Sequence, residues 1–116
     1  MVYIKMAIPE KLSTNKIYSG QHWAAMKEHK DLYHSCLLPF RKHIVKKYPV
    51  DITYIFRFAG KKLDTTNCTY MVKMLEDGMI HNKILENDSP EFVESTTIIV
   101  HDGDRDEVEI IIAEPQ

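Results

Sequence analysis

The sequence predicts an α/β fold: a single small domain, residues 1–116, with a mixed sheet of about four strands and helices packed against it. Three observations lead there. Val50, Ile52, Tyr54, Phe56 and Phe58 alternate with Asp51, Thr53, Ile55 and Arg57. The second face of that strand is half apolar, which places it in the middle of a sheet. Helical spacing of apolar residues runs on either side of it, and 116 residues suit one domain with one modest core.

Val2 to Ile8 reads as the first strand, with Val2, Ile4, Met6 and Ile8 on one face, and Pro9 closes it. Ser13, Thr14 and Asn15 are turn or cap residues leading into a connecting loop through Lys16, Tyr18 and Gly20. From His22 to Lys47 the spacing of Trp23, Met26, Tyr33, Leu37, Phe40 and Ile44 predicts a helix, kinked or divided at Pro39. Its basic end, Arg41-Lys42-His43 and Lys46-Lys47, suits the negative end of a helix or a DNA backbone. His22, His29, His34 and His43 form no HxxxH pair, so they read as solvated or capping residues and not as a zinc site.

After the central strand, Ala59-Gly60-Lys61-Lys62 opens a loop that delivers Asp64. Asp64-Thr65-Thr66 offers an N-cap, and a helix runs from Asn67 to about Asp77, stopped by Gly78. An apolar passage from Met79 to Leu85 and an acidic turn at Glu86-Asn87-Asp88-Ser89-Pro90 follow. Phe92 to Val100 and Val108 to Ala113 complete the strands. Asp102, Asp104 and Asp106 between them invite a calcium-loop reading, but the glycine is second and not sixth, so a hairpin turn is the better account.

No apolar stretch is long enough to span a bilayer, so no membrane partner is expected. Cys36 and Cys68 are far apart without metal spacing, which suits reduced thiols and a cytoplasmic protein. The net charge of −2 hides a division. Residues 1–62 hold 12 Lys and Arg against 4 Asp and Glu, a balance of +8, whereas residues 63–116 hold 3 against 13, a balance of −10. A basic half beside an acidic half suits a protein that grips phosphates and holds cations, although solvated faces give the same pattern.

The stretch from Asp64 to Asp88 gathers the ligand-type side chains. Asp64 and Asp88 flank a helix carrying Asn67, Lys73 and Asp77, and both carboxylates are expected at one edge of the sheet. Hard divalent cations take oxygen ligands of this kind, and a nearby lysine neutralises charge developing on a phosphate. The candidate catalytic residues are therefore Asp64, Asn67, Lys73, Asp77 and Asp88, with Asp64, Asn67 and Asp88 as metal ligands. Asn15, Lys16, Tyr18, Lys61, Lys62 and Lys73 are the candidate DNA-binding residues. The alternative for Asp64 is a plain helix cap.

The run Lys73-Met74-Leu75-Glu76-Asp77-Gly78, followed by Glu86-Asn87-Asp88 and Phe92-Val93, resembles the RusA-type Holliday junction resolvases. Lys73, Asp77 and Asp88 keep the family's spacing, with Asn87 in the place of one acid. The Pro9 to Tyr18 stretch is similar to the family's opening, and the likeness covers nearly the whole chain. It implies a homodimeric, Mg²⁺-dependent endonuclease, with Mn²⁺ as substitute, that resolves four-way DNA junctions in recombination and repair. It also implies a phage or prophage protein acting in the bacterial cytoplasm. The chain departs from the Asp-x-Asp-Asn-x-x-Lys pattern, having Asn67, Thr69 and Tyr70 at the three positions before Lys73. Asp64 then stands upstream as the replacement acid. The competing expectation is a catalytically weak or inactive DNA-binding module of the same fold that recognises branched DNA.

Overall fold

The structure, a computed structural model, describes the backbone of residues 1–18 and 23–116 and the side chains of residues 1–17 and 25–116. Its elements are β1 (Val2–Ala7), α1 (Thr14–Tyr18), α2 (Trp23–Leu37), β2 (Val50–Phe58), α3 (Thr69–His81), β3 (Val93–Asp102) and β4 (Glu107–Ala113). Short 3₁₀ turns at Leu38–Phe40 and Thr65–Cys68 follow α2 and precede α3. The mixed sheet has four strands in the order β1-β4-β2-β3. β4 runs antiparallel to both β1 and β2, while β3 lies parallel to β2. This is the α/β architecture expected from the sequence, with β2 inside the sheet. The predicted helix start at His22, the Trp23 side chain and the Ser19-Gly20 loop lie outside the described residues.

Period-two patterning decides which face of the sheet is covered. Ile4, Ile52, Tyr54, Phe56, Phe58, Val108, Ile110 and Ile112 point one way and are almost fully buried. Tyr33 and Leu37 of α2 and Met71, Leu75 and Met79 of α3 join them in one cluster. The opposite face carries a polar lattice. Tyr3 donates to Glu109 at 2.7 Å, Arg57 pairs with the same carboxylate, and Lys5 lies 3.8 Å from Glu107. Hydrogen bonding to Tyr3, and then the charge of Arg57, hold the Glu109 carboxyl below its usual range.

Several expectations are corrected. β3 and β4 are not a hairpin, because β2 lies between them in the sheet. The chain from 103 to 106 instead crosses the end of β2, where Gly103 N donates to Phe58 O and Ala59 N to Asp106 Oδ1, each at 3.0 Å. A Cβ on Gly103 would fall 2.7 Å from Arg57 Cβ, so the crossing needs glycine. The predicted helix to Lys47 ends at Leu37, with Pro39 in the 3₁₀ turn that follows. The basic segment beyond it is non-helical. Lys46 and Lys47 donate their backbone N–H groups to Glu114 Oε2 at 2.9 and 3.1 Å, the Lys46 bond being the main cause that lowers the Glu114 pKa. The loop expected after Pro9 contains the short helix α1.

Gly78 does not stop α3, which continues to His81 and closes on Asn82. Its use is close approach. A Cβ there would sit 2.6 Å from Leu37 Cδ1 and 3.4 Å from the Tyr33 carbonyl oxygen. The same contact shows that α2 and α3 run in the same direction: residues 33–37 meet Gly78, and His29 meets Tyr70. Leu37 is fully buried, so a displaced methyl would press on other core atoms. Alanine gains about 1 kcal/mol of helix propensity over glycine. Overpacking costs about 1–3 kcal/mol and should win. Gly78→Ala is therefore expected to unfold at lower urea than the parent, and an equal or higher midpoint would refute the tight helix crossing.

Candidate nucleic-acid interface

Two helix beginnings are built into one another. The first N–H groups of a helix have no partner within it. Thr14 Oγ1 accepts the Tyr70 N–H at 2.8 Å, donates to Asn67 O at 3.1 Å and lies 2.9 Å from Thr69 Oγ1. In return, Asn67 Oδ1 accepts the Asn15 N–H at 3.0 Å. Thus a side chain of the α1 turn caps α3, and a side chain preceding α3 caps α1. Asn67 and Thr69, the positions where the RusA-type pattern has acids, are both engaged in this joint.

The joint forms one wall of a cleft of about 470 Å³. Lys11, Asn15 and Lys16 line it together with Lys61, Lys62, Asp64 and Asn67. β2 ends at Phe58, and the Asp106 carboxylate pins the next residue, so the lysine loop leaves the sheet from a fixed point. The Lys11 ammonium sits 4.9 Å from the centre of the Phe58 ring and donates to the Lys61 carbonyl, tying the two walls together. Lys62 also lies 3.6 Å from Asp102, an exposed pair. Asp64 occupies the N-cap position in an extended conformation, but its side chain makes no cap hydrogen bond. Among the described residues it is the one carboxylate lining a cleft otherwise rich in ammonium groups. Below it, burial, and then the Asp64 charge, push the Cys68 thiol up to about 11. The Tyr18 side chain lies outside the described residues.

A second grouping forms farther along α3. Lys73 Nζ lies 3.4 Å from Asp77, one turn on, and 3.4 Å from Asp88 on the following turn. Asn87 Oδ1 accepts the N–H groups of Asp88 and Ser89 at 2.7 and 3.2 Å, which shapes the turn that presents Asp88. Burial acts against the Lys73 ammonium, but Asp77 and Asp88 outweigh it and raise its pKa. Glu76, absent from the sequence-based site, belongs here too. Burial first, and then the charges of Asp88 and Asp77, raise its pKa against the opposing pull of Lys73. Its signal was a glutamate set beside Leu75 on an otherwise core-facing stretch. Beneath the helix the Tyr54 hydroxyl is buried without a hydrogen-bond partner, and burial followed by Glu76 and Asp77 raises its pKa well above the usual value.

The predicted residues therefore fall into two sets. Lys73, Asp77 and Asp88 converge, and Asn15, Lys16, Lys61, Lys62, Asp64 and Asn67 share the cleft. Asp64 stands among lysines, Asp88 is held by an ammonium, and Asn67 already accepts a backbone N–H. No group of three or more His, Cys, Asp or Glu among the described residues is placed to hold a metal.

The histidines differ from expectation. His29 is buried, with Nδ1 3.2 Å from the Tyr70 hydroxyl and Nε2 3.6 Å from Glu10. His34 stacks on His81 at 4.4 Å, its Nε2 buried without a partner, and burial followed by His81 lowers its pKa. Both lie between helices, His29 buried and His34 half-buried; His43 is exposed, and His22 lies outside the described residues. No helix among the described residues is long and apolar enough to cross a membrane. No family model matches the chain, and no curated protein matches it.

The raised pKa of Glu76 fixes the sign of a pH effect. Its contribution to stability is fully present below the unfolded pKa and is lost as pH rises through the higher folded value. Glu76→Gln should therefore be at least as stable as the parent at neutral pH, with that advantage disappearing below about pH 4. Urea midpoints of variant and parent at the two pH values test this, and a variant less stable than the parent at neutral pH would contradict it.

Proposed function

We propose that the chain is a DNA-binding module that grips the phosphate backbone in the cleft between the α1 turn and the loop at residues 59–64, and that its target is branched DNA. The convergence of Lys11, Lys16, Lys61 and Lys62 on one concave surface, in a chain of net charge −2, carries this reading. Phosphates respond to a local basic surface and not to overall charge. Asn15 adds a neutral polar group of the kind that positions a backbone. The branched target rests on the likeness of Lys73–Gly78 and Glu86–Asp88 to the RusA-type resolvases, as does a two-fold homodimer matched to a nearly two-fold junction.

Lys61 and Lys62 are exposed, so replacing them leaves the core intact. If both meet phosphates, Lys61→Ala with Lys62→Ala should weaken junction binding at every sequence. It should also lower the slope of log affinity against log salt by about 2. An unchanged slope would remove the cleft from the interface.

A second reading, a metal-dependent nuclease resolving four-way junctions, is favoured by one observation: Asp77 and Asp88 meet at Lys73 with the family's spacing. A labelled four-way junction incubated with Mg²⁺, Mn²⁺ or EDTA separates the two. The binding module leaves it intact in all three. Cleavage that needs the metal and is lost in Asp88→Asn, with binding kept within about tenfold, establishes the nuclease.

A further inference from the structure

The two edges of the sheet are built differently. β1 has six residues, carries Lys5 and is followed by Pro9, devices that keep an edge from pairing. β3 has ten, with neither lysine nor proline, and no carboxylate from Ser95 to His101. Its backbone directions follow from two bonds: Val50 N donates to Phe92 O, and Gly103 N donates to Phe58 O. In a parallel ladder these bonds turn the even-numbered residues of β2 toward the odd-numbered residues of β3. The N–H and C=O groups of Thr96, Ile98 and Val100 therefore point away from the sheet. Among the described residues no other segment bonds to them. Ile98, Ile99 and Val100 form an apolar run along this open edge and are only half-buried.

We infer that the outer edge of β3 pairs antiparallel with β3 of a second copy about a two-fold axis at Ile99. The two four-stranded sheets then join into one continuous sheet. The inference rests on the homodimer reading above and gives it a surface. An axis perpendicular to the sheet keeps each face continuous, so opposed residues share parity. Centring on Ile99 sets Ile98 against the partner's Val100, Thr97 against the partner's His101 and Thr96 against the partner's Asp102. Apolar residues meet at the centre and polar ones at the ends. Centring on Ile98 opposes Glu94 to the partner's Asp102, like charge on like. Centring on Thr97 leaves Ile98 against a threonine and Ile99 against a serine. A peptide of another protein also fits an open edge, but this self-complementarity selects a second copy. The same axis keeps both helix layers on one side of the joined sheet. Antiparallel pairing sets the two lysine clefts toward opposite ends, since Lys62 lies 3.6 Å from Asp102 at the end of β3.

The test is sedimentation of the full chain over a micromolar concentration series, because a single pair of strands is a small interface. The parent should pass from monomer to dimer. Ile99→Lys sets two ammonium groups on the axis and should raise the dimer dissociation constant about tenfold. Ile99 turns its backbone toward β2, so in the dimer it faces itself as a non-hydrogen-bonded pair. The Cα atoms of such a pair are about 4.5 Å apart, within disulfide reach. Ile99→Cys should therefore form a disulfide-linked dimer on mild oxidation. Thr97→Cys should not, nor should the parent with its own Cys36 and Cys68. A parent that stays monomeric throughout overturns the homodimer reading and the inference together. If the parent dimerises but Ile99→Lys dimerises equally well, or Ile99→Cys does not cross-link, the homodimer stands and the β3 edge is refuted. Should Ile99→Lys fail to fold, the two cysteine variants decide.

Discussion

The mutual capping of α1 and α3 is the constraint on which the functional surface depends. Caps contribute about 0.5–2 kcal/mol each, a modest sum, but here they join segments more than fifty residues apart in sequence. Thr14 sets where α3 begins, and Asn67 sets where α1 begins. With both fixed, Asn15 and Lys16 are held opposite Lys61 and Lys62, and Lys73 is carried one turn along to meet Asp88. Lys11 then closes the arrangement from the other side, over the Phe58 ring at the end of the central strand.

That joint explains how a slightly acidic chain presents basic surfaces. Much of the acid in the second half is spent on the scaffold. Glu109 binds Tyr3 and Arg57, Asp106 holds the Ala59 amide, and Glu114 holds the Lys46 and Lys47 amides. Asp77 and Asp88 share the Lys73 ammonium. The lysines of the 59–64 loop and of α2 are set on exposed turns and faces, where long side chains keep their charge in water. The division into a basic and an acidic half visible in the sequence is in part a division between surface and support.

The sheet was legible because its signals are local. β2 appears over the residues that its alternation predicted, and β1 and β4 agree within a residue of their expected ends. What sequence could not supply was strand order. A six-residue connector between two strand patterns looks like a hairpin, yet β4 slots between β1 and β2, and only the close pass of Gly103 over Arg57 reveals the crossing. Gly78 misled for the opposite reason: glycine marks helix ends, but here a partner helix needs the space. His29 and His34 look like solvated or capping residues in the sequence because their ring partners, Tyr70 and His81, lie on a helix far along the chain.

The candidate site divides along the same line. Lys73 and Asp77 are four apart on one helix, and their meeting follows from helix geometry alone. Asp64 and Asp88 had no such tie; their expected meeting required a whole loop and a whole helix to fold toward each other. In the structure Asp64 lines the lysine cleft and Asp88 meets Lys73. The departure from the acidic pattern fits this outcome. At the beginning of α3 a neutral amide and a hydroxyl take part in one hydrogen-bonded joint, with Asn67 accepting the Asn15 N–H and Thr69 donating to the Thr66 carbonyl. A carboxylate has no hydrogen to donate to that carbonyl. Asn67 thus ties α1 to the approach to α3, and Thr69 closes the turn before that helix, at the positions where the resembling pattern would place charge.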